Sequence, residues 1–247
     1  MYAKFFKRFL DFVLSVTALI VLSPILLLLI IVGAIMMKGN PFFLQPRPGK
    51  KDKNGKEKIF YLVKLRTMSN ARDINGDLLP DEQRLGRYGT WLRSTSLDEL
   101  PSLLNIAVGA ASLVGPRPFL VRDLIFMTDE QRRRHDVRPG LTGLAQVNGR
   151  NNITWLQKFE YDLQYIDDGI TFIGDLSIVL KTVGKVVKRS DTVREGTVSD
   201  MDFGDWLLQE GKVTKEEYDK KHIEAKKMLG MSVETETMAE QMEVSIK

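Results

Sequence analysis

The stretch VLSPILLLL, residues 21–29, places Ser23 and Pro24 inside the most apolar run of the chain. From Phe9 to Met37 the only charged residue is Asp11. A run of this length is typical of a membrane segment, because crossing about 30 Å of hydrocarbon takes about 20 helical residues. No small-residue cleavage site follows the run, so a secretory signal peptide is a poor alternative.

The proline divides this run into two halves, each too short to cross the hydrocarbon as a helix. Proline removes a backbone donor and kinks a helix, and the Ser23 hydroxyl can bond backbone groups that the kink frees. Positive charge flanks both ends, so the positive-inside rule favours the cytoplasmic side for both. We predict a re-entrant hairpin over residues 1–38, broken at Ser23-Pro24, with a kinked spanning helix as the alternative. The flanking basic residues are Lys4, Lys7, Arg8, Lys38, Arg47, Lys50 and Lys51.

The composition argues against several kinds of site. With no cysteine and only two histidines in 247 residues, the chain has no disulfide, no thiolate metal site and few ligands for a catalytic zinc. Residues 1–199 carry 29 Lys and Arg against 20 Asp and Glu, a balance of +9, whereas residues 200–247 carry 7 against 12, a balance of −5. A basic body favours an anionic partner, such as phosphates, lipid headgroups or nucleic acid.

The rest of the sequence predicts an α+β fold that is mostly helical. The stretch IFYLVKL (59–65) is β-branched and aromatic, which is typical of a strand. Helical spacing follows over residues 84–106, and a last amphipathic region covers residues 154–189. Turns rich in glycine and proline separate these elements. We expect residues 39–190 to form a small cytosolic domain on which the membrane segment packs.

The C-terminal residues 191–247 are expected to form an acidic tail with a helix of its own. Thr214 and Glu217 have the spacing of a capping box. The stretch GKVTKEEYDKK (211–221), after an apolar helix, resembles a short C-terminal oligomerisation motif of many bacterial proteins, which favours a homo-oligomer. A solvated tail helix is the equal alternative.

Two adjacent acids, Asp98 and Glu99, stand in the stretch STSLDELPSL (94–103). Pro101 confines them to the first turn of a helix, where proline is tolerated. Ser96 and Glu99 have capping-box spacing, so spacing alone favours a capping role for the acids. A helix N-terminus would also keep a carboxylate ionised as a nucleophile or Mg²⁺ ligand.

Basic and amide side chains occur in three further motifs. Arg117 stands between two prolines in GPRP (115–118), where a stiff turn would present its guanidinium fork to phosphate. Lys64 and Arg66 alternate, so they would share one face of a strand. Each pattern also fits an ordinary role, as an exposed loop arginine, a solvated strand face or loop-shaping amides. The residues of AQVNGRN that could hydrogen-bond a nucleotide or sugar are Gln146, Asn148 and Arg150.

A series of motifs, in order along the chain, resembles the bacterial sugar transferase family, and within it the small monotopic phosphoglycosyl transferases. The resemblance runs from about Lys4 to Arg189 and includes the Ser23-Pro24 pair. The chain is similar to small members that transfer diacetylbacillosamine phosphate to undecaprenyl phosphate. The motifs are FLQPRPG, KLRTM, SLDELPSLLN, SLVGPRP, RHDVRPGLTG, AQVNGR and TFIGDLSIVLKT.

The resemblance implies transfer of a sugar-1-phosphate from a UDP-sugar to polyprenyl phosphate, with release of UMP. It makes Asp98 the nucleophile of a phosphosugar-aspartyl intermediate and Glu99 its partner in proton handling or lipid activation. It also implies Mg²⁺ near Asp98 and a re-entrant hairpin. The residues expected to bind substrate are Lys64, Arg66, Arg117, Gln146, Arg150 and Asp162.

The resemblance also implies the partners and the location. We expect a UDP-sugar with an N-acetylated amino sugar, polyprenyl phosphate and membrane lipid as partners, and no nucleic acid. A soluble nucleotide sugar and a membrane-buried lipid must meet at the membrane surface, and phosphoryl transfer there needs positioning and charge neutralisation. The expected location is the bacterial inner membrane, with a monotopic chain whose catalytic domain faces the cytoplasm.

One motif departs from the family pattern. Before the GPRP turn the family usually has Lys-Gly-Asp-Met-Ser, whereas this chain has VGAAS, with Val108, Ala110 and Ala111. The missing aspartate keeps two other interpretations open. One is a catalytically weak or inactive member that serves as a membrane-anchored scaffold, and the other is a basic membrane-anchored protein that binds anions.

Overall fold

The computed structural model describes residues 1–149, 153–188 and 201–230. Its short sheets and its helical majority confirm the predicted α+β class. A π-helical turn, Tyr2–Phe6, leads into the first helix, and 3-10 helices cover Leu97–Ser102 and Arg133–Asp136. The other elements are α1 (Lys7–Met36), β1 (Phe42–Lys51), β2 (Glu57–Leu65), α2 (Asp81–Arg84), α3 (Arg87–Thr95), α4 (Leu103–Val108), β3 (Ser112–Val114), α5 (Val121–Leu124), α6 (Asp129–Arg132), β4 (Gly140–Thr142), α7 (Leu144–Asn148), α8 (Trp155–Asp167), α9 (Phe172–Lys188), α10 (Phe203–Gln209) and α11 (Lys215–Met228).

The apolar run forms a single helix, α1, that continues through Pro24. This corrects the expected break at Ser23-Pro24, since the helix is not interrupted there. Pro24 has no N–H to donate to the carbonyl of Ile20, four residues earlier, but Ser23 Oγ donates to that carbonyl at 2.7 Å. The hydroxyl replaces the missing backbone donor, so the helix can continue. The re-entrant arrangement in a membrane stays a prediction.

Both ends of α1 contact the same body. Near its start, Arg8 donates to the carbonyl of Ile106 at 2.6 Å, and towards its end the Tyr88 hydroxyl donates to the carbonyl of Leu29 at 2.9 Å. At about 1.5 Å per residue, Arg8 and Leu29 lie about 30 Å apart along the helix. Between these anchors, most of residues 20–28 are exposed apolar side chains. This helix is long and apolar enough to cross a membrane, by length and composition.

Buried carboxylates hold the start of α1. Asp11, the charge within the apolar run, accepts from the backbone N–H of Leu113 at 2.9 Å. Asp175, in the GDL motif of α9, accepts from Lys7 Nζ at 2.6 Å and from the Tyr165 hydroxyl at 2.7 Å. An unpaired charge at these positions would be costly, so the two acids specify how α1 sits on the domain.

Strands β1 and β2 form an antiparallel ribbon in which Phe42 pairs with Leu65 and Pro48 with Ile59. The predicted strand is confirmed as β2, whereas the sequence does not predict β1, because its prolines exclude a helix without indicating a strand. Each strand has only one partner, so the missing N–H of Pro48 can face away from the ladder, as prolines at sheet edges do.

Strands β3 and β4 are parallel and pair Ser112 with Gly140 and Val114 with Thr142. They bring the GPRP turn beside the RPGLTG loop. A Cβ at Gly140 would lie 2.1 Å from the backbone nitrogen of Gly115, so only glycine permits this approach. The glycines of these two motifs are therefore explained by close backbone packing.

The last amphipathic region is two helices, α8 and α9, and not one. Gly169 adopts φ +84° between them, a left-handed conformation that ends helices and suits glycine. Thr154 begins α8 by accepting from Gln157 N at 3.2 Å.

Thr214 likewise caps α11 by accepting from Glu217 N at 3.2 Å, so the predicted N-terminus of the tail helix is confirmed.

The C-terminal helices pack on the chain's own body. Phe203 of α10 is buried with Phe119, Phe126, Trp155 and Phe159 in one aromatic cluster. The predicted boundary at residues 190 and 191 lies outside the described residues, as does the end of the acidic tail beyond residue 230. Self-association of the tail stays a prediction.

Candidate active site

The acid pair lies on the 3-10 helix Leu97–Ser102, directly after Ser96 in a left-handed conformation (φ +57°). Ser96 makes no side-chain capping bond, so the capping-box interpretation of Ser96 and Glu99 is wrong. The left-handed residue ends α3 and turns the chain, and Pro101 lies inside the short helix that follows. The carboxylate of Glu99 is thereby directed to partners that are distant in sequence.

Glu99 is bound by two cations. Its Oε1 accepts from Lys64 Nζ at 2.8 Å and from Arg117 Nη2 at 2.9 Å. Burial acts to raise the pKa of Glu99, but the charges of Arg117 and Lys64 outweigh it and hold the pKa well below the usual range. Glu99 is therefore ionised at neutral pH, and it joins β2, the acid pair and the GPRP turn.

Asp98 occupies a different environment from its neighbour. Burial raises the pKa of Asp98, the negative charge of Glu99 raises it further, and the cations Lys64, Arg117 and Arg93 oppose the shift. A carboxylate with a raised pKa is more basic and hence a stronger nucleophile than an ordinary surface acid. Two adjacent acids thus have pKa values shifted in opposite directions, as in sites where two carboxylates have different roles.

Two cavities meet at Glu99 and Arg117. The smaller, about 30 Å³, is also lined by Lys64 and Arg47. The larger, about 240 Å³, extends along α9 and is mainly apolar, with Val179 and other side chains of that helix on one wall. Asp98 is among the lining residues of neither cavity. The arrangement can hold an anion at the two cations and an apolar group beside α9.

The side-chain amide of Gln146 lies at the larger cavity and has no hydrogen-bond partner in the described residues. The residue is 7% exposed and lines the larger cavity, and both its Oε1 and its Nε2 are buried without a hydrogen bond. A buried amide without partners costs about 1–3 kcal/mol, so Gln146 is a candidate to bind a ligand. The structure thus brings Gln146 to the predicted site.

Arg47 also belongs to the site, although it is not among the predicted site residues. Its Nη1 donates to the carbonyl of Pro118 at 2.9 Å, and it lines the smaller cavity together with Arg117. Burial lowers the pKa of Arg47 to about 10, and the nearby Arg117 lowers it as well. A signal was present, because Pro46-Arg47-Pro48 repeats the proline-flanked arrangement of Arg117.

The sequence matches the family described as bacterial sugar transferase over residues 2–189. The chain belongs to the bacterial sugar transferase family. The match contains the acid pair, both proline-flanked arginines and Gln146, and it ends before α10. The C-terminal helices of this sugar transferase therefore lie outside the matched region.

Three relatives illustrate the match. The chain is 47% identical over 181 residues to the uncharacterized sugar transferase EpsL of Bacillus subtilis, covering 73% of this chain and 87% of that protein. It is 34% identical over 201 residues to the exopolysaccharide production protein ExoY of Sinorhizobium fredii, covering 73% and 84%. It is 38% identical over 193 residues to the UDP-glucose:undecaprenyl-phosphate glucose-1-phosphate transferase of Klebsiella pneumoniae, covering 73% of this chain but only 40% of that protein.

Two predicted binding residues of the sugar transferase, Asp162 and Arg66, are not brought to the cavities. Asp162 is buried in an ion pair with Arg134 at 2.7 Å, each side chain 1% exposed. This corrects its predicted contact with substrate, because a carboxylate inside the core cannot reach one. Arg66 lies one residue beyond β2 and lines neither cavity. Arg150 lies outside the described residues.

The turn that departs from the family pattern keeps its backbone connections. The N–H groups of Ala110 and Ala111 both donate to the carbonyl of Asn105, at 2.9 and 3.1 Å. Gly109 adopts φ +86° at the end of α4, and its carbonyl accepts from Arg138 Nε at 2.8 Å. The turn therefore forms in this sugar transferase without the aspartate that the family usually has.

Mg²⁺ at Asp98 stays a prediction. Within residues 1–149, 153–188 and 201–230 no three His, Cys, Asp or Glu side chains form a group that could hold a metal. Mg²⁺ commonly binds through one or two carboxylates and completes its shell with substrate phosphates and water. Asp98 fits such a role, whereas Glu99 is engaged by Lys64 and Arg117.

Proposed function

We propose that this chain transfers a sugar-1-phosphate from a UDP-sugar to polyprenyl phosphate at a membrane surface, releasing UMP. The observation that carries the proposal is the acid pair: Glu99 is ionised between Lys64 and Arg117, and Asp98 beside it has a raised pKa. Family membership and the name of the Klebsiella relative support the reaction class.

In the first step, Asp98 attacks the phosphorus nearest the sugar. A new bond forms between a carboxylate oxygen of Asp98 and phosphorus, and the bond between that phosphorus and the bridging oxygen breaks. UMP leaves with the bonding electron pair, and the phosphosugar remains on Asp98. Covalent catalysis of this kind divides one transfer into two steps, so the two phosphate substrates need not occupy the site together.

In the second step, an oxygen of polyprenyl phosphate attacks the same phosphorus, and the bond to Asp98 breaks. The products are a polyprenyl-diphosphate sugar and the free carboxylate. Lys64, Arg47 and Arg117 stabilise the phosphate charges, which is the main requirement of phosphoryl transfer. Mg²⁺ held by Asp98 and the diphosphate would supply further charge neutralisation.

The resemblance implies proton handling or lipid activation for Glu99, but its environment favours an electrostatic role instead. A carboxylate with a pKa held far below neutrality is a poor proton acceptor. Its bonds to Lys64 and Arg117 instead position both cations around the reacting phosphate. We therefore assign Glu99 to orienting the cations and not to moving a proton.

The contacts of α1 support a monotopic arrangement in the membrane. A straight spanning helix would carry its two ends to opposite faces of the bilayer, about 30 Å apart. Here Arg8 and Leu29 both contact one domain, with exposed apolar residues 20–28 between them. We propose a monotopic chain whose α1 enters one leaflet of the bacterial inner membrane, with the domain on the cytoplasmic side.

The sugar is proposed as an N-acetylated amino sugar, from the resemblance to small family members. The Klebsiella relative is named for UDP-glucose, so hexose donors belong in the same experiment. Gln146 offers an amide donor and acceptor that would suit either a hydroxyl or an acetamido group.

The test is UMP release by the full chain in lipid nanodiscs, with undecaprenyl phosphate, Mg²⁺ and a panel of UDP-sugars. We expect release with at least one donor, none by Asp98→Asn, and a trapped phosphosugar adduct of the wild type when the lipid phosphate is omitted. Donor binding without release by the wild type would contradict the enzyme and favour the scaffold. Equal release by Asp98→Asn would exclude Asp98 as nucleophile.

A further inference from the structure

Residues 115–120, which include the GPRP turn and are called the Arg117 loop below, are held by their backbone at three places. The carbonyl of Arg117 accepts from Arg134 Nη2 at 2.5 Å, and that of Pro118 accepts from Arg47 Nη1 at 2.9 Å. The N–H of Leu120 donates to Asp123 Oδ2 at 2.8 Å. The position of the Arg117 guanidinium at Glu99 therefore depends on the partners of a short loop.

The C-terminal helices contribute to one of these partners. The other oxygen of the same carboxylate, Asp123 Oδ1, accepts from the backbone N–H of Phe203 at 2.9 Å. Asp123 is 2% exposed, so each of its oxygens depends on a protein donor, one from the loop and one from α10. Without Phe203, one oxygen of a buried carboxylate would lose its donor, which is costly.

The side chain of Phe203 reaches the loop from a second direction. Its ring lies 5.2 Å from that of Trp155 and 5.0 Å from that of Phe159. Phe119, inside the loop, packs against the same two rings at 4.8 and 5.8 Å. Arg134 lies over the Phe119 ring at 3.7 Å. Phe203 thus completes the aromatic layer against which Phe119 is packed.

The remaining contacts of the C-terminal helices fix Phe203 in this place. Trp155 Nε1 donates to the carbonyl of Met201 at 3.2 Å, and Lys221 Nζ donates to that of Ile125 at 3.1 Å. A Cβ at Gly204 would lie 2.6 Å from the ring of Phe126, so α10 packs against Phe126 as closely as its backbone allows.

We propose that α10 and α11 are a positioning element of the active site, in which Phe203 and Asp123 together hold the Arg117 loop in place. The element lies outside the region matched by the family. The inference rests on the proposed function. In this proposal the C-terminal helices act on the catalytic domain of the same chain, and this role is separate from self-association.

The primary test is Phe203→Ala in the full chain, with Phe203→Leu as the conservative variant and Ile223→Ala, a half-exposed site on α11, as the control. Misplacement by about 1 Å can cost 100-fold in rate, so we expect kcat/KM for UMP release to fall about 10- to 100-fold in Phe203→Ala. Phe203→Leu should recover most of this loss, and Ile223→Ala should match the wild type.

A double-variant cycle separates positioning from general destabilisation. If Phe203 acts through Arg117, Phe203→Ala should cause little further loss of kcat/KM in an Arg117→Ala background, since coupled residues are not additive. Fully additive losses would overturn the proposal. Unchanged kcat/KM in Phe203→Ala would overturn it as well.

Hydrogen exchange gives a readout that does not need turnover. In Phe203→Ala, the amides of residues 117–124 should exchange faster than in the wild type, while those of β1 and β2 stay unchanged. Faster exchange confined to residues 201–230 would overturn the proposal. This measurement keeps its meaning even if the wild type releases no UMP, so failure of the positioning role and failure of the transferase are distinguishable.

Discussion

Lys64 Nζ lies 2.8 Å from Glu99 Oε1 although 35 positions separate the two residues. The contact joins the end of β2 to the short helix that carries both acids. Arg117 reaches the same carboxylate oxygen from the GPRP turn at 2.9 Å. One glutamate therefore organises two cations from separate motifs, and the predictions below begin with it.

Glu99→Gln should lower kcat for UMP release about 100-fold, the scale of removing one transition-state stabiliser. The amide keeps the shape but removes the charge that orients Lys64 and Arg117. The measurement is steady-state kinetics, with Glu82→Gln at an exposed position as the control. An unchanged kcat would contradict the orienting role of Glu99.

Gln146→Leu should change stability and binding in opposite directions. It removes two buried polar atoms without partners, which favours the folded state by about 1–3 kcal/mol, and it removes the groups proposed to bind the sugar. We expect a higher melting temperature and a higher KM for the donor. Gln164→Leu, at an exposed position on α8, should leave KM unchanged. A variant with a lower melting temperature and an unchanged KM would refute both statements.

Asp162→Asn should destabilise the fold by about 3–5 kcal/mol, because Arg134 would stay buried without its counter-charge. Chemical unfolding followed by circular dichroism measures the effect. Asp167→Asn, which breaks the exposed pair with Arg133, should cost less than about 1 kcal/mol. If Asp162→Asn kept full stability and lost only substrate affinity, the predicted substrate contact would be restored.

The stability that His135 contributes should fall as the pH drops from 6.5 towards 4, while Asp202, whose pKa burial raises to about 6, shifts stability the opposite way. Burial lowers the pKa of His135 from 6.5 to about 4, so in this window the unfolded chain binds a proton that the folded chain does not. The contribution of His135 to the free energy of unfolding is full above pH 6.5. It is lost on acidification, and the loss is about 3 kcal/mol at most. Thermal unfolding between pH 4 and 8 measures it. The stability difference between the wild type and His135→Gln should therefore change over this pH window, whereas the difference for the less buried His222→Gln should change little.

Cysteines introduced at positions 3 and 53 should react with an impermeant thiol reagent from the same side of the membrane. The native chain has no cysteine, so each single variant gives a clean signal. Both ends of α1 contact one domain, which requires both positions to lie on its side. A cysteine at position 27, in the exposed apolar segment, should be protected by lipid. Labelling of positions 3 and 53 from opposite sides would exclude the monotopic arrangement.

Local patterns were sufficient for several elements. The β-branched and aromatic composition of IFYLVKL predicted β2, and the threonine of a capping pattern marked the start of α11, as the structure confirms. The order of the motifs identified the family and the acid pair. These features depend on neighbours within a few positions, or on motifs kept in a fixed order, so they can be read before the chain is folded.

Other features were decided by contacts between distant parts of the chain. Spacing favoured a cap for Glu99, but Lys64 and Arg117 engage its carboxylate instead, because two nearby cations compensate burial better than a backbone amide does. The prolines of β1 excluded a helix without indicating a strand, yet this stretch forms a strand because it pairs with β2.

By itself, the sequence determined the fold class, the long apolar helix and the family, and it predicted the two acids of the site, because periodicity and motif order are properties of the chain. Only the tertiary structure removed Asp162 from the substrate and placed it beside Arg134, added Arg47 to the site, and packed Phe203 behind the Arg117 loop. These outcomes depend on which side chains share a low-dielectric interior, where a charge needs a partner and an aromatic ring needs a complementary surface.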